Sequence, residues 1–230
     1  MFTMSRVGDM LRAPRRFGQF SALFISIVVI FALRPFLDGF VSINLLTDIF
    51  LSLTMLAAIH AVSENTSTFI VAVALASLFI FFEWIPYFGY FSDLRYVSKI
   101  IGALYSVYLT FLILLFIMRQ KTITAEIIKA ALCAYFLIGL MWSFVYLTIE
   151  VLIPGSFQFP PGTQLNHDQF IYFSFVTLTT VGYGDVTPIS NGARSLAILE
   201  AVMGQFYLAV TVARLVSIHL AQHREGTMRG

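Results

Sequence analysis

Two glycines two residues apart, Gly182 and Gly184, stand inside the run Thr179-Thr180-Val181-Gly182-Tyr183-Gly184-Asp185. Such a run can do chemistry with its backbone alone. If alternate residues take ordinary and left-handed-like conformations, successive carbonyls face one axis, and glycine is the residue that enters the second conformation cheaply. Four such loops around that axis replace the water shell of a bare monovalent cation with carbonyl oxygens. Val181 and Tyr183 then point outward and brace the loop. Thr180 places a hydroxyl at the inner mouth and Asp185 a carboxylate at the outer mouth. A short helix ending near Thr179 would aim the negative end of its dipole at the axis, which favours a cation there.

Few other residues offer chemistry. Glu200 lies inside an apolar run, where a carboxylate is a functional candidate by default. The structural alternative is a hydrogen bond to Ser174 or Thr177 behind the loop. His219 and His223 are four apart, beside Arg224 and Glu225. They read either as interfacial histidines or as a pair titrating near neutral pH. As metal ligands they lack a carboxylate or cysteine to complete a set. No GxSxG, HExxH, phosphate loop or cysteine–histidine arrangement is present, so neither an enzyme nor a cofactor is expected. The single cysteine, Cys133, excludes an intrachain disulfide.

The elements that must position these residues are built for lipid. Of 230 residues, 59% are hydrophobic and 11% charged, with a mean hydropathy of +0.87. A soluble domain carries about a quarter charged residues. The net charge of +2, without a basic run, gives no sign of a nucleic-acid partner. A bilayer core of about 30 Å needs about 20 apolar residues as helix. Candidate spans run 18–37, 43–62, 68–90, 97–118, 126–150 and 193–218. The first follows Arg6, Arg12, Arg15 and Arg16 but is too long for a signal peptide and lacks a small-residue cleavage site. It is expected to remain as a span.

Between the last two spans, Ile153-Pro154-Gly155 through Pro160-Pro161-Gly162 to Asn166-His167-Asp168 is too polar and broken to cross. The apolar run from Phe170 to Leu178 that follows is only about 14 Å long as a helix. It must enter and return on one side, which is tolerated only where protein buries it or it lines a water-filled path.

Basic residues set the orientation. The N-terminal arginines, then Arg119, Lys121 and Lys129, then Arg224 and Arg229, fall on one side of six spans. Arg34, Arg95, Lys99 and Arg194 fall on the other, mixed with Asp38, Asp93 and Asp168. Both termini are therefore expected in the cytoplasm and the re-entrant loop outside, in a plasma membrane or the inner membrane of a bacterium. Trp84, Tyr87, Tyr90 and Tyr96 are expected in an interfacial aromatic belt.

Residues Tyr172-Phe173-Ser174-Phe175-Val176-Thr177-Leu178, followed by Thr179 through Asp185 and Val186-Thr187-Pro188, closely resemble the pore of potassium channels. The resemblance covers about 122–220. It implies an all-α integral membrane protein of six transmembrane helices with a re-entrant pore helix and selectivity filter, assembled as a homotetramer. K+ would be the permeant ion, held by Thr180, Val181, Gly182, Tyr183 and Gly184, with Asp185 and Tyr172 at the outer mouth. Gly204, nineteen positions beyond Asp185, matches the family's gating hinge; close packing is the alternative. Gln205, Leu208, Val212, Ala213 and Val216 would line the cavity and inner constriction. Two departures stand out. Val176 replaces a glutamate that pairs with the filter aspartate in some members, and Tyr172-Phe173 replaces paired tryptophans, so Tyr172 is the expected partner of Asp185.

The resemblance divides the chain into a cytoplasmic N-terminus (1–17), a four-helix voltage-sensor-like domain (18–121), a pore domain (122–220) and a short tail (221–230). From that tail no regulatory domain is expected. The family's voltage sensors carry a basic residue at every third position of the fourth span, about 3–4 charges per subunit. Here Arg95 and Lys99 sit at its outer end, and 100–118 contain no charge. Both are expected to snorkel to the headgroups, leaving voltage dependence weak or absent. Asp48 and Glu83 read as counter-charges or as ordinary interfacial residues. A less selective cation channel and a potassium transporter subunit are the alternative readings.

Overall fold

The computed structural model describes residues 18, 20–37, 43–62, 66–88, 95–120, 122–163 and 166–227. Side chains are described for these except 30, 33–37, 43, 44, 60–62, 95, 96 and 221–227. The expectations for the N-terminal arginines, Asp38, Tyr90, Asp93 and Lys121 lie outside the described residues. So do those for the side chains of Arg34, Arg95, Tyr96, His223, Arg224 and Glu225, and for Arg229.

Among the described residues, long apolar runs broken by short polar segments give seven α-helices: α1 (Ser21–Leu37), α2 (Ile43–Val62), α3 (Thr66–Trp84), α4 (Arg95–Arg119), α5 (Ala125–Leu152), α6 (His167–Leu178) and α7 (Asn191–Thr227). A single 3-10 turn, Ile85–Phe88, ends α3. Thr66–Phe88, Val97–Arg119, Ala125–Leu152 and Asn191–Leu220 are long and apolar enough to cross a membrane, while Leu45–Ile59 is a shorter apolar segment. The re-entrant helix is longer than expected, 12 residues from His167, because Asn166 caps it by accepting from the Gln169 amide at 3.3 Å. At about 18 Å it still cannot span.

Helices α1 to α4 pack in sequence order, α4 lies along α5, and α6 is held between α5 and α7. The core runs continuously through these contacts: Leu23, Met55, Phe79, Tyr105 and Phe144 are all fully buried. Ile25, Ile70, Phe81 and Leu104, pointing outward, are about half exposed or more. Lipid is as apolar as the core, so this outer face costs nothing in a bilayer. The ends of the bundle are tied by polar bonds. Glu126 accepts from the Phe20 amide at 3.1 Å and from Lys129, which also reaches Ser21 at 2.7 Å.

Two short strands, β1 (Phe157–Gln158) and β2 (Thr187–Pro188), pair antiparallel and join the chain before α6 to the chain after the glycine run. Glu150 shapes the turn leading to β1, accepting from the amides of Gly155 at 2.8 Å and Phe157 at 3.0 Å.

Lys99 does not reach for headgroups. It is 5% exposed, bonded to Glu83, with Asp48 3.9 Å away. Glu83 is fully buried and also accepts from Ser98, and Asp48 accepts from Tyr87 at 2.7 Å. The inward aim follows from desolvation: two carboxylates already enclosed by α2, α3 and α4 attract the ammonium more strongly than the interface does. Trp84 likewise donates inward, to Ser52 at 3.0 Å.

Removing Glu83 takes away the hydrogen-bonded counter-charge of Lys99 and leaves it only Asp48, 3.9 Å away. Glu83→Ala is expected to cost about 3 kcal/mol or more of stability, read as a fall in the thermal unfolding midpoint in detergent. Glu83→Gln combined with Lys99→Met should recover most of that loss. A Glu83→Ala protein as stable as the parent would return Lys99 to the interface.

Candidate ion-conduction site

The glycine run leaves the C-terminal end of α6 in a fixed conformation. Thr180, Gly182 and Gly184 have φ of +60°, +60° and +77°. Every second residue is thus left-handed, the alternation that turns successive carbonyls to one side. Thr180 was not legible as part of it, since a β-branched residue pays strain there. What holds it is the end of α6: the amide of Thr180 donates to Thr177 O at 2.9 Å and that of Val181 to Val176 O at 2.9 Å. The last carbonyls of the helix are satisfied by the loop that follows.

Val181 and Tyr183 are 51% and 71% exposed in the single chain, so their bracing needs contacts from outside it. Tyr183 lies parallel to Tyr172, ring centroids 6.5 Å apart. Tyr172 donates to Asp185 at 2.7 Å, and Asp185 accepts from the Val186 amide at 3.0 Å. Chiefly through the Tyr172 hydroxyl, the Asp185 carboxyl is held below its ordinary range.

Behind the run, Glu200 accepts from Ser174 at 2.5 Å and from Tyr146 at 2.5 Å. The same Ser174 hydroxyl lies 2.7 Å from Gly139 O, so its one proton is shared between two acceptors, and the side chains of Glu200, Ser174 and Tyr146 are fully buried. One carboxylate therefore joins α5, α6 and α7. Of the two expected partners, Ser174 is used. Tyr146 was not anticipated, because it sits 54 residues away on α5.

Gly204 lies within the unbroken α7, and a Cβ there would stand 2.6 Å from the Leu178 carbonyl oxygen. Its place is one of close approach to the end of α6. Gln205, Leu208, Val212, Ala213 and Val216 are exposed in the single chain, and so is His219.

Sequence reading also missed the far end of α6. Thr47 of α2 donates to Asp168 at 2.8 Å, and Ser143 of α5 lies 3.2 Å from His167 Nε2. Asp168, placed among the outer flanking charges by its surroundings in the chain, is 8% exposed.

A family profile described as "Ion channel" matches residues 122–220. The chain is 30% identical over 90 residues to two pore potassium channel c of Oryza sativa, covering 38% of this chain and 20% of the relative. It is 36% identical over 87 residues to the calcium-gated potassium channel TvoK of Thermoplasma volcanium, covering 35% and 25%. It is 54% identical over 46 residues to protein LctB of Bacillus caldotenax, covering 20% and 34%. The chain thus spans between a fifth and about a third of these relatives' lengths. No solved structure matches it. Four membrane-capable helices and this similarity define the class, an integral membrane protein. Its residues 122–220 are similar to an ion channel domain.

Two outcomes follow from the geometry. The Asp185 charge persists to pH below the ordinary aspartate range and is lost as pH falls through the lowered value. Tyr172→Phe removes the bond, so acid suppression of current should begin at a higher pH than in the parent. An unchanged titration would show that the bond does not set the charge. Gly204→Ala should cost about 1–3 kcal/mol through overpacking, although alanine is the better helix former by about 1 kcal/mol. A hinge without close packing would instead leave thermal stability equal or higher.

Proposed function

We propose that the chain is the subunit of a potassium-selective channel, four copies surrounding one axis lined by the carbonyls of Thr180 to Gly184. The observation that carries this reading is the left-handed conformation at Thr180, Gly182 and Gly184. It exists before any partner chain is added, and it is the arrangement that substitutes carbonyl oxygens for water around a dehydrated cation. The relatives named as potassium channels support the choice of ion.

Assembly is supported by α7. Ile198 and Leu199 are each more than half exposed, and Val181 and Tyr183 lack cover from their own chain. In the tetramer Gln205, Leu208, Val212, Ala213 and Val216 face the cavity, and Asp185 forms a ring at the outer mouth. Six spans, with α1 and α2 joining the four longer helices, place both termini in the cytoplasm and the pore loop outside. Voltage dependence is weak or absent, because Lys99 is anchored to Glu83 rather than free to travel, and no charge follows it through residue 118.

The test is purified protein in a planar bilayer under opposed potassium and sodium gradients. The reversal potential should follow potassium. A reversal tracking sodium equally would establish a less selective cation channel, and absence of current with uptake coupled to a second ion would establish a transporter subunit.

A further inference from the structure

A groove of about 520 Å³ runs between α4, α5 and α7, lined almost wholly by apolar atoms. Val107 and Phe111 form the α4 wall and Met141 part of the α5 wall. On α7 the lining side chains are Met203, Phe206, Tyr207, Val210, Thr211 and Arg214, at the three- and four-residue steps that keep side chains on one helix face. At 3.6 residues per turn this face lies about half a turn from Gln205, Leu208, Val212 and Val216. The groove therefore opens away from the proposed cavity.

Its length and its one charge identify an occupant. Met203 lies about 18 Å, and Arg214 about 35 Å, along α7 from Asn191 at its outer end. The hydrocarbon core is about 30 Å thick. The groove thus starts near the midplane and ends at the opposite headgroup level, a run of about 16 Å that equals one leaflet. At that level the Arg214 guanidinium is fixed by Nη2, which donates to the carbonyls of Ile117 and Met118 at the end of α4. Its Nε is buried and has no hydrogen-bond partner among the described residues. A planar, positively charged guanidinium at the mouth of an apolar slot suits a phosphate oxygen.

We propose that this groove binds an anionic phospholipid of the leaflet at the α7 C-terminal half, one acyl chain lying between α4, α5 and α7 and the phosphate meeting Arg214. The site rests on the reading of α7 as the inner, bilayer-crossing helix.

Native mass spectrometry of the purified protein with phosphatidylglycerol and with phosphatidylcholine of the same acyl chains tests it. The parent should retain phosphatidylglycerol about fivefold better, the factor one basic residue contributes beside an anionic lipid. Arg214→Gln should abolish the preference and Arg214→Lys preserve it, which separates charge from any general loosening of the fold. Val210→Trp should lower retention of both lipids by filling the slot, with helical circular dichroism unchanged. Equal retention by the parent, a preference surviving Arg214→Gln, or retention indifferent to Val210→Trp would overturn the proposal. So would a changed subunit number in Val210→Trp, which would mean that a neighbouring copy fills the groove. Potassium flux is measured separately on the same preparations. A parent that binds the lipid but passes no potassium would defeat the channel reading and leave this site standing.

Discussion

The Glu200 carboxylate behind the glycine run is the interaction on which the rest of the pore half depends. A carboxylate enclosed in apolar surroundings is costly unless each oxygen is satisfied. Here one oxygen takes the Ser174 hydroxyl and the other the Tyr146 hydroxyl, so a single group fixes three helices relative to one another. The short α6 has no span of its own to anchor it. Its position comes from this bond, from Gly204 lying flush against its C-terminal turn, and from the strand pair that closes the loop around it. The glycine run holds its alternating conformation because the helix it hangs from is fixed at both ends.

Between apolar helices in lipid there is little hydrophobic drive, so packing and hydrogen bonds must decide contacts. Hydroxyl-to-carbonyl bonds recur across the helix interfaces: Tyr105 to Met55 at 3.0 Å, Tyr108 to Thr68 at 3.1 Å, and Tyr207 to Ala131 at 2.6 Å. Each satisfies the tyrosine's polar tip while its ring fills the interface. The same logic explains why the outer faces carry large apolar side chains without penalty.

The first four helices are more than a reduced sensor scaffold. Asp48, Glu83 and Lys99 form an internal cluster that ties α2, α3 and α4 to one another. Through Thr47 they also touch the N-terminal end of α6 at Asp168. Helix α6 is therefore held at one end by α2 and at the other by α5 and α7.

Apolar run lengths, the two glycines and their flanking residues were enough to place the helices, the short α6 among them, and the left-handed backbone at Gly182 and Gly184, because each depends on local backbone preference or on run length alone. The Tyr172–Asp185 pair was also legible, since thirteen residues of defined helix and loop separate them. What tertiary structure alone decided were the partners of buried polar groups. Lys99 turned inward, Glu200 found Tyr146, Gly204 met Leu178, and Thr180 took a left-handed φ. Each outcome depends on which distant atoms share a small enclosed space, and desolvation makes those contacts strong where nothing in the spacing of residues announces them.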